Sequence, residues 1–286
     1  MKFAWIEGHR GAFEVETMCR VLGVSSSGFY AWLKRPAGAR EKRREELLRE
    51  SGKAHEESRG TYGSPRIFEE LKNRRVKVCE NTVARLMSRA GIRSKTARKY
   101  APKTTDSKHD CPVTDNVLGR DFEAQEPDRK WVADITYIQT GEGWLYLAAV
   151  LDLCSRKVVG WSMAAHLRTE LVEDALRMAL SRRSPQGQVL HHSDRGVQYA
   201  STEYRRLLEA HGLACSMSRT GNCYDNAAME SFWSTLKTEL VCHERYATRE
   251  QARLSVFEYI EVFYNRVRRH SSLGYKSPEA FEAALN

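Results

Sequence analysis

Trp131-Val-Ala-Asp-Ile-Thr-Tyr-Ile-Gln-Thr-Gly-Glu-Gly-Trp-Leu-Tyr-Leu-Ala-Ala-Val-Leu-Asp152 reads as two strands and the turn that joins them. Residues 131–138 are rich in β-branched and aromatic side chains, 144–152 are almost continuously apolar, and Gly141-Glu-Gly143 is a turn signal. A second turn at Cys154-Ser155 leads into a third strand, 157–163. Outward from there the pattern alternates: a helix at 169–182, a strand at 188–192, a helix at 201–211 and a short strand at 213–217. Three hairpin-connected strands followed by strand–helix alternation predict an α/β fold, a mixed sheet with helices on both faces.

Two acids lie on this framework. Asp134 sits within the first strand, and Asp194 ends the run Gln188-Val-Leu-His-His-Ser-Asp194, stopped by Arg195-Gly196. A third belongs to Asn222-Cys-Tyr-Asp-Asn-Ala-Ala-Met-Glu-Ser-Phe-Trp-Ser-Thr-Leu-Lys-Thr-Glu-Leu240. There Gly221 and Asp225-Asn226 mark a loop ending in an N-cap, and the helix begins at Ala227. Met229, Phe232, Trp233, Leu236 and Leu240 form its apolar stripe. Glu230 and Lys237 lie together about 80–100° away, at the edge of that stripe, and are too far apart for an i,i+4 pair. Both are expected to point at something outside the helix. Three carboxylates converging at one end of a sheet repel one another unless a hard cation joins them. Mg²⁺, held by carboxylates, water and substrate phosphate, fits that need, and two such ions clamp the attacking and leaving oxygens of a phosphodiester.

The segments Trp131-Val-Ala-Asp-Ile-Thr-Tyr, His192-Ser-Asp-Arg-Gly-Val-Gln-Tyr199, Ser218 to Phe232, and Tyr264-Asn-Arg-Val-Arg-Arg-His-Ser-Ser-Leu-Gly-Tyr275 carry a resemblance. The chain resembles the DDE transposases of the retroviral-integrase superfamily, specifically the OrfB-type product of the insertion-sequence-three family. The resemblance runs essentially end to end. It covers the 35 residues between Asp194 and Glu230 and the Lys seven positions after Glu230. It implies an RNase H-like catalytic core with Asp134, Asp194 and Glu230 as catalytic residues and metal ligands. It implies two Mg²⁺ ions, with Mn²⁺ as a substitute, and Lys237 on DNA near the cleaved phosphate. Recognition of terminal inverted repeats, a homo-oligomer and an upstream OrfA-type partner follow as further implications, and the start at Met1 suggests that this chain lacks the partner's segment. Rival classes are a phage or retrovirus-like integrase, a nuclease that only cuts, and a DNA-binding repressor.

The formal charge is +9, unevenly spread. Residues 1–105 hold 24 Lys/Arg against 12 Asp/Glu, and the remainder 22 against 25, so the basic excess sits in front, where double-stranded DNA is the natural partner. Residues 14–34 predict a helix-turn-helix: Cys19, Gly23 and Phe29 take the small, turn and buried positions, Ser25 caps the second helix, and Lys34-Arg35 trail behind as DNA contacts. The charged run from Arg40 starts another helix. Residues 60–93 repeat the theme, with a helix opening at Gly63-Ser-Pro and another capped by Asn81. In the latter Val83, Leu86, Met87 and Ala90 point inward, and Arg85 and Arg89 outward, either on phosphates or as a solvated face. The divisions are then 1–40 helix-turn-helix, 41–100 second helical module, 101–128 linker, 129–245 catalytic core, and 246–286 C-terminal helix and basic tail.

Arg268 and Arg269 belong to the basic cluster Arg266–His270 after a long helix at 248–265; phosphate contact and packing on the core both remain open. Asp152 is assigned to a turn or an arginine pair, Asp225 to a helix cap, and His191 and His192 to packing behind Asp194. Seven cysteines without a CxxC pair indicate neither a zinc ribbon nor a disulfide framework. No apolar run reaches about 18–20 residues and no signal peptide is visible, so a cytoplasmic protein without membrane contact is expected.

Overall fold

A computed structural model describes residues 1–36, 38–95, 114–219 and 223–285. The front unit comprises α1 (Lys2–Gly8), α2 (Val15–Leu22) and α3 (Ser26–Lys34). Gly23 takes the left-handed conformation at φ 63°, which ends α2, and the Ser25 hydroxyl accepts the Gly28 N–H at 3.1 Å to start α3. Ile6, Met18, Cys19 and Phe29 close a small core of their own. The periodicity had predicted α2 and α3 but not α1, whose seven residues bury only Ile6.

A second helical unit follows: α4 (Ala39–Glu57), α5 (Ser64–Asn73) and α6 (Glu80–Arg89). Two details correct the sequence reading. The chain enters α6 from an extended Cys79, so Asn81 lies inside the first turn and does not cap it. Val83, Leu86 and Met87 are buried, but Ala90 is exposed because α6 has already ended. Residues 96–100, at the end of the second module, lie outside the described residues, as do 101–113 of the expected linker. Its remainder, 114–128, is tied down without forming a helix or strand: the Val117 and Leu118 N–H groups donate to the Ser216 hydroxyl at 3.0 and 3.1 Å.

The sheet contains β1 (Lys130–Thr140), β2 (Gly143–Asp152), β3 (Val158–Ala164), β4 (Leu190–Ser193) and β5 (Ala214–Met217), in the order β3-β2-β1-β4-β5. The β1–β2 and β2–β3 pairs are antiparallel; β4 and β5 join in parallel. This is the RNase H-like arrangement that the element order predicted. Alternation along β1 sorts its side chains: Trp131 and Ala133 face α7 (Thr169–Arg183), α8 (Val197–Ala200) and α9 (Thr202–Ala210). Val132 and Ile138 face α10 (Ala227–Glu239) and α11 (Arg249–Glu258). On the first face, α7 crosses β3 so closely that a Cβ at Gly160 would collide with the Ala175 carbonyl. The helix expected over 201–211 is α9, capped by the Ser201 hydroxyl through Tyr204 N–H, and the short α8 precedes it.

Beyond α11 the turn widens over Tyr259–Tyr264, with Asn265 N–H donating to the Ile260 carbonyl five residues back. That widening lets the Asn265 amide bond both the N–H and the carbonyl of Val158 at 3.0 Å each, fixing the tail to the sheet edge. The short α12 (Pro278–Glu282) closes the chain through Glu282, which pairs with Lys157 and Arg183. Among the described residues no helix is long and apolar enough to cross a membrane.

Candidate active site

Register brings the first two acids together. The last β1–β4 rung joins Ala133 to Ser193, so Asp134 and Asp194 are the next residues on neighbouring parallel strands. At this point β4 ends, and Asp194 turns with the chain, its Oδ1 accepting the Gly196 N–H at 2.9 Å. Parity places Asp134 on the α10 face of the sheet, and both acids are half-buried.

The third acid arrives on α10. Trp233 donates its indole N–H to Asp134 Oδ2 at 2.9 Å, while Ile135 N–H donates to Oδ1 at 2.8 Å. Asn226, just before the helix, donates to the Ala133 carbonyl at 3.1 Å. These bonds fix the face of α10 that meets β1. Glu230 lies one turn before Trp233 on that face and is exposed; Lys237 lies one turn after it, with Nζ 5.4 Å from the Tyr137 ring centroid. Burial first, then Asp194 and Glu230, push the Asp134 carboxyl up to about 8. Lys237 is shifted down by burial, which outweighs the opposing pull of Asp134.

Among the described residues no three His, Cys, Asp or Glu side chains stand close enough to hold a metal as they are. Mutual repulsion keeps uncompensated carboxylates apart, and the exposed Glu230 is the one with room to move. The donor set nevertheless suits a hard cation: all three side chains offer oxygen, and each Asp134 oxygen spends only one bond on the protein. Their mutual destabilisation of charge is what such a cation relieves.

Other expected contacts fall elsewhere. Lys34, Arg35, Arg85 and Arg89 are exposed, on α3 or just after it and on α6. Arg268, for which both phosphate contact and packing on the core stood open, is buried and bonded to both carboxylate oxygens of Glu239 at 2.7–3.0 Å. Arg269 is likewise turned inward, onto Glu70 at 2.6 Å. Asp225, expected to cap α10, is fully buried and accepts from Arg219, Arg120 and Asn116, which hold its carboxyl far below the ordinary range. Asp152 organises the β2–β3 turn by accepting from Ser155 and Asp128 N–H groups. His192 lies between the Ser216 and Ser218 hydroxyls and His191 against Tyr204; burial holds them neutral, at about 4 and about 3. Sequence reasoning filed Trp233 with the core and missed its bond to Asp134. Its position between Glu230 and Lys237, three residues after one and four before the other, was the available signal.

A family model described as "Integrase core domain" matches residues 124–223, a second of that description matches 211–278, and an "HTH-like domain" matches 42–100. The sheet, its acids and these matches define a polynucleotidyl transferase of the integrase-core class, joined to a DNA-binding module. The chain is 45% identical over 284 residues to "Transposase InsF for insertion sequence IS3A" of Escherichia coli K12, covering 99% of this chain and 98% of that one. It is 46% identical over 264 residues to the "Insertion element IS600 uncharacterized 31 kDa protein" of Shigella sonnei, at 92% and 97% coverage. A solved simian T-cell lymphotropic virus intasome aligns with 13% identity and a TM-score of 0.48, over 81% of this chain and 74% of that one. The chain belongs to the family of IS3-type insertion-sequence transposases. Divalent-metal dependence accompanies that core.

Proposed function

We propose that Asp134, Asp194 and Glu230 are the catalytic residues and the metal ligands of this transposase, and that the metal is Mg²⁺, as two ions, with Mn²⁺ able to replace it. The observation that carries this is the indole bond from Trp233 to Asp134, which sets the Glu230 face of α10 against the middle of β1, beside the end of β4 where Asp194 stands. Bound there, Mg²⁺ supplies Lewis-acid activation of the attacking oxygen and charge neutralisation at the leaving one. The chain's own groups position everything else. Trp233 and Ile135 N–H fix Asp134, Gly196 N–H fixes Asp194, and Lys237 takes a phosphate oxygen of the DNA end. Lys34, Arg35, Arg85 and Arg89 contact the duplex backbone.

The substrate is double-stranded DNA: the terminal inverted repeats of the element, then a target. Water and afterwards a DNA 3′-OH attack the phosphodiesters. A homo-oligomer assembles on the ends, with an upstream OrfA-type product as a further partner, and the reaction takes place in the cytoplasm. The decisive measurement is joining of a labelled 3′-OH end, which a mere nuclease does not perform. Asp134→Asn, Asp194→Asn and Glu230→Gln are each expected to abolish cleavage and joining while leaving end binding within a few-fold. Full joining by any one variant removes that residue from the site.

A further inference from the structure

Behind the catalytic helix lies a cleft of about 430 Å³ that the transfer chemistry above does not use. Its polar wall includes Arg66 on α5, Arg156 in the β2–β3 turn, Arg268 and His270 in the tail, and Ser231 and Thr235 on α10. Ser231 and Thr235 lie roughly 100–140° around α10 from Glu230, so the cleft and the acids occupy different faces of one helix. No carboxylate lines it.

Its charge is not balanced from within. Among the described residues Glu239 is the only acid paired with these cations, and Arg268 takes both its oxygens. Arg66 reaches Glu239 no closer than 3.9 Å, and Arg156 forms no ion pair among the described residues. Two guanidinium groups thus share one carboxylate and a third, Arg156, has none, in a half-enclosed space where their repulsion is poorly screened. Beside them His270 stays neutral: burial first, then Arg268, Arg66 and Arg156, lower its pKa to about 2. A neutral imidazole and two hydroxyls add neutral donors beside the cations. Planar guanidinium forks with neighbouring hydroxyls are the chemistry that recognises a phosphate, and Arg serves that purpose better than Lys.

We propose that this cleft is a phosphate-binding site, taking a backbone phosphate of the bound DNA against a face of α10 turned away from Glu230. A free phosphate-bearing anion offers the same chemistry, and the test separates the two sources. The proposal rests on the transposase reading only for the source. Phosphate binding retained in Asp134→Asn, with joining lost, keeps the failure of one distinguishable from the failure of the other.

The test uses the full chain and inorganic phosphate, with chloride at equal ionic strength as reference. Phosphate is expected to raise the melting midpoint by a few degrees. Arg156→Gln is expected to lose that shift, with Arg156→Lys restoring part of it. Arg66→Gln serves as a second variant, and the midpoint in chloride reports whether each variant is folded. If DNA is the occupant, Arg156→Gln weakens end binding about tenfold and lowers the salt slope by about one. A lost phosphate shift with unchanged DNA affinity assigns the site to a free anion. Equal midpoints in phosphate and chloride, or a phosphate shift surviving in Arg156→Gln, overturns the proposal.

Discussion

The two helical units in front of the sheet look alike in sequence and behave differently in the fold. The first, α1 to α3, has its own four-residue core, and among the described residues its hydrogen bonds and ion pairs stay within 1–35. The second has no separate core. Ala54, Tyr62, Ile67, Leu71, Val83 and Met87 belong to the cluster that also holds Leu145, Phe232 and Tyr259. Polar links reinforce it: Arg59 pairs with Glu258, Arg269 with Glu70, and Lys95 donates to the Glu239 carbonyl. A run of basic residues therefore has two possible fates. On the first unit Lys34 and Arg35 stay in solvent, available to a polyanion. On the second and in the tail, Arg66, Arg74, Arg268 and Arg269 are drawn inward, and Arg85 and Arg89 are left facing out.

The sharpest way to break this contrast is at the weld. Arg268→Ala leaves the buried Glu239 without its bidentate partner, with only the Tyr259 hydroxyl and the more distant Arg66 beside it among the described residues, which is expected to cost about 3–5 kcal/mol in denaturant unfolding of the sheet and second unit. A loss under about 1 kcal/mol would mean that the docking is superficial. Removal of residues 1–36 is expected to do the reverse. The remaining body should melt within a few degrees of the full chain, yet bind labelled element ends about tenfold or more weakly, with a shallower salt dependence. Wild-type affinity in the shortened chain would put the reading of DNA elsewhere.

A smaller effect concerns acid. Burial raises the Glu70 carboxyl, but bonds from Arg269 and Arg74 outweigh it and hold the folded value below the ordinary 4.5. The stability this contributes is present above about pH 4.5 and is lost as pH falls through the depressed folded value. Hydrogen exchange between pH 6 and pH 3 should therefore show α5 loosening in the wild type, and less change in Glu70→Gln, which starts loosened. Identical profiles would remove Glu70 from the weld.

These contrasts also show where sequence reading works. The sheet was legible because strand parity and turn residues are local: 131–163 states its own hairpins. The paired aspartates were legible because both lie at strand positions that parallel pairing makes adjacent. Partners distant in the chain left no local mark. Arg268 finds Glu239 29 residues earlier, and Asp225 finds Arg120 105 residues earlier; each read alone as surface cation or helix cap. Trp233 misled for a different reason. An indole is apolar by area and polar at one atom, and periodicity counts only the area. The Cys79 entry to α6 was hidden because its extended backbone, with no capping bond from its side chain, starts the helix.

The Tyr62 hydroxyl donates to the Val267 carbonyl at 3.1 Å and accepts from Arg269 N–H at 2.8 Å, joining α5 to a stretch about two hundred residues later. Heredity meets this join as a constraint on exchange. A recombination event that replaces residues 1–35 removes a unit with its own core and, among the described residues, strands no buried partner. One that crosses over after residue 95 separates Tyr62 and Glu70 from tail groups that must change with them. Exchange of residues 1–35 alone is thus expected to leave the body folded, whereas the second unit is expected to need exchange together with the catalytic body.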